Sequence, residues 1–324
     1  NNSLVGLQAT VDFTPKLSFT GQIVATYINK FQVDANWAFL KYQFTPTWSI
    51  SAGRFRIPVY MYSDTYQVGN SYPWIMPPEA IYYMVPFYNM NGARITFRHQ
   101  LSTDWSMMAQ LYGGVTRHTV RIPLGPATFK SDDIIGAHAS VTNNIVTLEA
   151  SYMRLHFDLS QLPQLPASVQ GPIHHDLGQF YGLGARVNYH HILAITEIGQ
   201  RSVNGTMPAY RGGYVTLGYN WHKWTPSVTF SSIRTINEDA RSKMTQMAGG
   251  IDIFDVNQYS ITAGLRYDIN PHMDVKVSVQ RIQTRAGSYG FFSGFLNSNN
   301  QIDLSTAAPD RPVYIGRVAF DLTF

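Results

Sequence analysis

The stretch Tyr259-Ser260-Ile261-Thr262-Ala263-Gly264-Leu265-Arg266-Tyr267-Asp268-Ile269 decides the fold. Tyr259, Ile261, Ala263, Leu265, Tyr267 and Ile269 alternate with Ser260, Thr262, Gly264, Arg266 and Asp268. A period of two is what a strand with one apolar and one polar face requires; an amphipathic helix repeats every ~3.6 residues. The same alternation runs through 5–13, 17–27 and 105–115. No segment holds a helical period over a comparable length, which removes an α/β enzyme from the candidates. Strand length then separates a soluble β-sandwich from a membrane barrel. Strands of globular proteins are about 5–6 residues long, whereas membrane-crossing strands run about 9–11 and are tilted. The segments here are of the long kind. Fifteen are predicted, near 3–14, 17–29, 34–44, 47–57, 91–101, 104–117, 132–142, 145–157, 177–189, 192–203, 212–222, 225–236, 258–269, 272–284 and 312–324.

The connections support the barrel. Short turns at Pro15-Lys16, Thr45-Pro46-Thr47, Ser102-Thr103, Asn143-Asn144, His190-His191, His222-Lys223-Trp224 and Asn270-Pro271-His272 alternate with longer loops. The long loops fall at 58–90, 118–131, 158–176, 237–257 and 285–311, with shorter ones at 29–33 and 204–211. Tight turns on one rim and long loops on the other are the pattern of an outer-membrane barrel, and a sandwich has no reason to follow it. Every short turn follows a descending strand; the first visible strand and the last both descend. Single-chain bacterial barrels have an even strand count, so one ascending strand is expected before Asn1, for about sixteen in all.

Composition agrees. Charged residues are 14% of 324, against about 25% in an ordinary soluble domain. Aromatic residues are also 14%, and Phe13, Phe44, Trp48, Trp105, Tyr189, Trp221 and Trp224 flank the short turns, where a membrane-interface girdle is expected. No run approaches the roughly 20 apolar residues of a membrane helix. The chain has no cysteine, which is compatible with export through an oxidising periplasm. The formal net charge is +4, but Lys and Arg are scattered singly, so nucleic acid is not an expected partner. The expected surroundings are outer-membrane lipid and lipopolysaccharide. A homotrimer is the default for barrels of this size, by fold analogy. Residues 1–324 are read as one barrel domain.

Loop 58–90 is unusual. It is rich in Pro, Tyr and Met and carries only Asp64 and Glu79 as charges. Such a segment belongs against other groups rather than in water, and it is expected to fold inward and narrow the lumen. Alternation puts Arg94, Thr96, Arg98 and Gln100 on the lumen face. Arg54 and Arg56 join them only if the strand slips phase near Gly53, as at a bulge. Lys41, Arg186, Arg266, Lys276 and Arg317 lie on polar faces too, because a cation in the lipid face costs ~2–4 kcal/mol at midplane. Arg54, Arg56, Arg94 and Arg98 are therefore candidate constriction residues, with Asp64 and Glu79 opposing them from the loop. The plainer reading is that these arginines and acids pair to hold the loop down. Counted along the wall, basic residues outnumber the acids Asp12, Glu149, Asp268, Asp274 and Asp321, which predicts a mild preference for anions.

No motif of a nucleophile elbow, phosphate-binding loop, dinucleotide fingerprint or zinc protease is present, and no cofactor is expected. A barrel enzyme built on His138 and Ser140, and an adhesion or scaffold barrel with a closed pore, are the alternatives to a channel. His174-His175-Asp176 is a weak metal candidate, lacking a third ligand at a fixed spacing.

The stretch 52–64, with 69–75, Pro77-Pro78-Glu79 and the preceding Trp37-Ala38-Phe39-Leu40, resembles a porin-like outer-membrane protein family of Gram-negative proteobacteria. The resemblance covers the third-loop region specifically and the remainder only in general. It implies a general-porin-like barrel of about sixteen strands that passes small polar solutes, and its members begin with further residues before the position of Asn1. The chain departs from phosphate- and sugar-selective porins in having no lysine array and no aromatic slide. The C-terminal strand, with Val318, Phe320, Leu322 and Phe324 on one face, likewise resembles the end of most outer-membrane barrels.

A closed β-structure of this kind resists detergent until heated. The purified protein is expected to give a β-type circular dichroism spectrum and a gel mobility that shifts on boiling; a helical native spectrum would refute the assignment.

Overall fold

A computed structural model describes residues 3–27, 30–122, 125–160, 173–205, 207–239, 242, 255–285, 287–288, 290–292, 295–296, 302–303 and 311–324. All fifteen expected strands are present: β1 (Leu4–Thr14), β2 (Leu17–Thr26), β3 (Val33–Gln43), β4 (Trp48–Arg56), β5 (Asn89–Gln100), β6 (Ser106–Ile122), β7 (Gly125–Thr142), β8 (Val146–Ser160), β9 (Ile173–Tyr189), β10 (Ile192–Asn204), β11 (Tyr210–Tyr219), β12 (Trp224–Thr235), β13 (Asn257–Asn270), β14 (Met273–Thr284) and β17 (Val313–Leu322). The two-residue β15 (Phe295–Leu296) and β16 (Ile302–Asp303) pair only with each other. The long strands form one sheet in chain order, each antiparallel to the next. β1 and β17 are its edges, and β1 is exposed on both faces throughout. A sixteenth strand is not among the described residues. No helix among them is long and apolar enough to cross a membrane.

One expected loop is instead wall. Residues 118–131 continue the β6–β7 hairpin, with pairs from Thr116↔Ser131 up to Ile122↔Gly125 above a register shift after Gly114. The shift breaks the sequence alternation there, so the upper ladder reads as irregular while its backbone stays paired. Most of the expected loops 158–176, 237–257 and 285–311 lie outside the described residues.

Side chains alternate as the sequence requires. Along β17 half-buried and exposed residues alternate without a break; along β12 buried Thr225, Ser227, Thr229 and Ser231 alternate with exposed Trp224, Pro226, Val228 and Phe230. The polar residues are thus inside and the apolar ones outside. Leu111, Leu183, Ile198, Leu217, Val279 and Val318 continue the exposed apolar face, a surface fit for lipid and unfit for water. At the short-turn rim, rings of neighbouring strands meet in tilted pairs, Trp48 with Phe97 at 4.8 Å and Trp224 with Tyr267 at 4.4 Å.

The phase near Gly53 resolves differently from a bulge. Pairing with β3 and β5 runs through Gly53 without a register shift. The irregularity is a torsion: Gly53 has φ +134°, and a Cβ there would lie 2.3 Å from the Ala38 carbonyl oxygen. Beyond it the alternation ends, since Phe55, Arg56 and Ile57 are all buried in succession. Left-handed torsions of this kind cost a residue other than glycine ~1–3 kcal/mol. Gly53→Ala is therefore expected to lower the temperature at which gel mobility shifts. Gly316→Ala, whose Cβ meets nothing within 4 Å, should leave it unchanged; equal behaviour of the two variants would contradict the strain.

Candidate functional site

Between β4 and β5 the chain leaves the wall at Ile57 and returns at Tyr88, where Ile57 N–H donates to the Tyr88 carbonyl at 2.9 Å. The excursion is surrounded by the sheet. Asn36 of β3 donates to Gln67. Ser151 of β8 donates to the Val59 carbonyl at 2.8 Å. Trp74 Nε1 donates at 3.0 Å to both Thr216 of β11 and Thr229 of β12. Arg201 of β10 donates to the Met84 carbonyl at 2.9 Å, Arg266 of β13 to the Asn70 carbonyl at 2.8 Å, and Lys276 of β14 to the Gly69 carbonyl. A segment reached from β3, β8, β10–β14 and, through Glu79, β17 lies in the lumen of a curled sheet.

Its composition explains why it tolerates burial. Pro58, Pro73, Pro77, Pro78 and Pro86 carry no N–H, so fewer backbone donors need partners away from water. Its aromatic and aliphatic residues, among them Val59, Tyr60, Tyr62, Trp74, Ile81, Tyr82 and Met84, join wall residues Phe55, Phe180, Ile195, Tyr214 and Ile233 in one buried cluster. Part of the lumen is therefore packed core rather than water, which the alternation of the strands did not foretell.

The principal latch is Glu197 of β10, a residue not singled out in the sequence. It is buried, and its carboxylate accepts from Tyr82 OH at 2.7 Å, Tyr214 OH at 2.6 Å and Met61 N–H at 3.0 Å. Burial pushes the Tyr62 hydroxyl up to about 12. The loop tyrosines add no charge at neutral pH, and the field is set by the acids, Arg and Lys.

The charged residues fall into two groups. On the inner face of β13, β14 and β17 the bases Arg266, Lys276 and Arg317 are paired. Arg266 binds Asp268 at 2.7 Å and Asp274 at 3.2 Å, Lys276 binds Asp321 at 2.9 Å, and Arg317 meets Glu79 at 3.5 Å. Glu79, first residue of the short helix α1 (Glu79–Tyr82), also accepts from Gln280 at 3.2 Å. Its ion-pair partner is thus Arg317, not one of the four arginines it was expected to oppose. On β3–β5 and β9 the bases have no such partners. Among the described residues Lys41, Arg54, Arg56, Arg94, Arg98 and Arg186 form no ion pair within 4 Å.

Within that second group the roles differ. Arg56 is buried and binds the Ser63 carbonyl at 3.4 Å and Gln67, holding the first turn of the loop. Arg94 lies with its guanidinium 4.9 Å from the Phe55 ring centre. Arg54 is half-buried, Arg98 exposed. Asp64 is exposed on the loop, and its charge acts on both Arg56 and Arg94. Lys41 shares its surroundings with Arg94, Arg98 and Asp12.

His138 pairs with Glu149 of β8 at 3.1 Å, so its ring nitrogen is engaged by an acid rather than by Ser140. His174 binds Asp158, and His175 stacks on His156 at 4.3 Å. Among the described residues no group of three His, Cys, Asp or Glu is placed to hold a metal.

Known proteins share this architecture without close sequence likeness. No family model matches the chain, and no curated protein matches it by sequence. Three solved structures are similar: OmpF of Salmonella typhi in complex with daunomycin, at 13% identity over 98% of this chain and 90% of that one, TM-score 0.58; an anion-selective porin from Comamonas acidovorans, at 11% over 89% and 80%, TM-score 0.58; and OmpT of Vibrio cholerae, an outer-membrane protein in its trimer form, at 10% over 99% and 91%, TM-score 0.58. The fold is that of outer-membrane β-barrels.

Removing the latch tests the loop's anchorage. Leaving buried donors without an acceptor costs ~1–3 kcal/mol each. Glu197→Ala is expected to free the loop for cleavage by added protease while the barrel keeps its heat-modifiable mobility. A loop as resistant as in the native protein would show that Glu197 does not hold it.

Proposed function

We propose that the protein is a passive channel of the bacterial outer membrane that lets small hydrophilic solutes and ions diffuse, with a mild preference for anions. One observation carries the reading: the bases are segregated by wall. The inner-face bases of β13–β17 are neutralised by carboxylates within ion-pair distance, and among the described residues those of β3–β5 are not. A strip of uncompensated positive charge facing a narrow aqueous space raises local anion concentration, as fields there are poorly screened.

Arg54, Arg94 and Arg98, with Lys41 and Arg186, line the path; Arg56 and Asp64 shape the loop edge beside it, and Glu79 with Arg317 fixes the opposite side. The likeness to the anion-selective porin of Comamonas acidovorans supports the sign of the preference, and the trimer form of OmpT supports a homotrimer. This reading takes the barrel as a channel rather than an enzyme: His138 Nε2 is 3.1 Å from Glu149, and among the described residues no hydrogen bond joins His138 to Ser140.

Planar-bilayer recording tests the proposal. Native channels should show stepwise conductance and a reversal potential displaced to the anion side, fading as salt rises past ~0.1 M, where screening acts over about 10 Å. Replacing Arg54, Arg56, Arg94 and Arg98 together by neutral residues should shift the reversal potential toward cations and enlarge the conductance. Unchanged values of both would remove these arginines from the constriction; absence of any steps in the native protein would refute the channel.

A further inference from the structure

The outer face carries a second group of arginines. Strand alternation sets Arg211 on the same face as exposed Val215 and Leu217, Arg234 with exposed Val228 and Phe230, and Arg281 with exposed Val277 and Val279. Arg285, just past β14, continues that last row. These side chains belong to the outer surface, where a cation in hydrocarbon is costly. Their height resolves the difficulty. From Trp221 at the short-turn rim to Arg211 the chain climbs about ten residues, roughly 25 Å after tilt, which is the height of the apolar band itself. The arginines crown that band.

They are also brought together. Arg211 and Arg234 are directly opposed across β11 and β12. Arg234 opposes Asn257 of β13, whose carbonyl accepts the Arg285 N–H at 2.9 Å. Tyr259 collects two cations, with the Arg285 guanidinium 4.4 Å and that of Arg281 5.9 Å from its ring centre. Neutral groups hold the side chains in place: Gln200 accepts from Arg211 at 2.7 and 3.0 Å, and Gln283 accepts from Arg281 at 3.0 Å. None of the four forms an ion pair among the described residues, and Glu238 and Asp239, the acids that follow β12, engage none of them. Like charges directly opposed across strands repel. Four guanidiniums in one row, with no carboxylate among the described residues at ion-pair distance, are a site for anionic groups, and their planar forks suit phosphate.

We propose that the row Arg211, Arg234, Arg285 and Arg281 binds the phosphate groups of a phosphorylated glycolipid of the outer leaflet. The chemistry below the row selects a lipid over a free anion. Val215, Leu217, Val228, Phe230, Val277 and Val279 lie directly beneath on the same face, so an amphiphile with phosphate at the arginines lays its acyl chains along an apolar wall. A free phosphate gains nothing from that wall. The inference does not rest on the channel reading, since these residues lie on the opposite face from the lumen.

Native mass spectrometry of the whole barrel in detergent tests the site with three probes: bis-phosphorylated lipid A, its dephosphorylated counterpart and inorganic phosphate. The native protein should retain the phosphorylated lipid, hold the dephosphorylated one at least about tenfold more weakly, and keep its lipid in millimolar phosphate. Each charge-assisted contact is worth on the order of tenfold. The variant R211Q/R234Q/R281Q/R285Q should therefore lose tenfold or more in affinity, the corresponding four-lysine variant should lose less, and conductance should not change in either. If the quadruple glutamine variant does not fold, Arg234→Gln alone carries the test with a smaller loss. Equal binding of the dephosphorylated lipid, undiminished binding by a folded glutamine variant, or displacement of lipid by inorganic phosphate would each overturn the proposal. So would a variant that falls apart into monomers with lipid binding intact, which would make the row a subunit contact.

Discussion

A polypeptide in hydrocarbon has no water to satisfy its N–H and C=O groups, so each must find a partner in the chain itself. That constraint explains why nearly every described residue outside the loops belongs to one ladder. It also fixes the side chains. Once each strand is paired on both sides, its residues have only two faces to occupy. A chain crossing between lipid and a polar interior sorts Val228 and Phe230 outward and Thr229 and Ser231 inward.

The segment from Ile57 to Tyr88 meets the same constraint by other means. It has no ladder, so its prolines remove donors, local turns bond some of those remaining, and wall side chains cap the exposed carbonyls of Val59, Gly69, Asn70 and Met84. The cost of burying the Glu197 carboxyl group in this setting is offset by three donors converging on it; with fewer, a buried acid would be a liability. On that side Asp268, Asp274 and Asp321 pair with Arg266 and Lys276, and the loop's own Glu79 goes to Arg317. The bases of β3–β5 have no carboxylate within ion-pair distance among the described residues, and the charge is asymmetric between the two walls.

The strands were legible because alternation is enforced along their whole length by lipid on one side. All fifteen appear, thirteen within four residues of their expected limits, while β6 ends five residues later and β7 starts seven earlier than expected; the inward turn of the loop was legible from its aromatic, charge-poor composition. The site was less so. Leu193, Ile195 and Glu197 share an inner face, but that face is apolar because the loop covers it, so nothing in the alternation marked Glu197 as special. The pairing of Glu79 with Arg317 joins residues 238 positions apart, a matter of which wall the loop leans on, which parity and composition do not encode. Gly53 was recognisable as irregular, yet whether a glycine shifts register or only twists depends on its neighbours' backbone. The outer arginines were hidden for the opposite reason: the rule that cations face water assigns them to the lumen unless their height on the wall is counted.

The central claim is that the loop crosses the lumen and rests against the inner face of the last strand. The chain has no cysteine, so a single introduced pair can be read without background. A Cβ built on Gly69 falls within 2.3 Å of the Asp321 carboxyl carbon, which puts the two positions within disulfide reach. The double variant Gly69→Cys with Asp321→Cys should form an intramolecular disulfide under mild oxidation, seen as a mobility change of the unfolded chain that reductant reverses. Pairing Gly69→Cys instead with Leu322→Cys, on the outward face, should form none. Failure of the first pair to close in a correctly folded barrel, or equal closure of both, would contradict a loop seated inside the barrel against that wall.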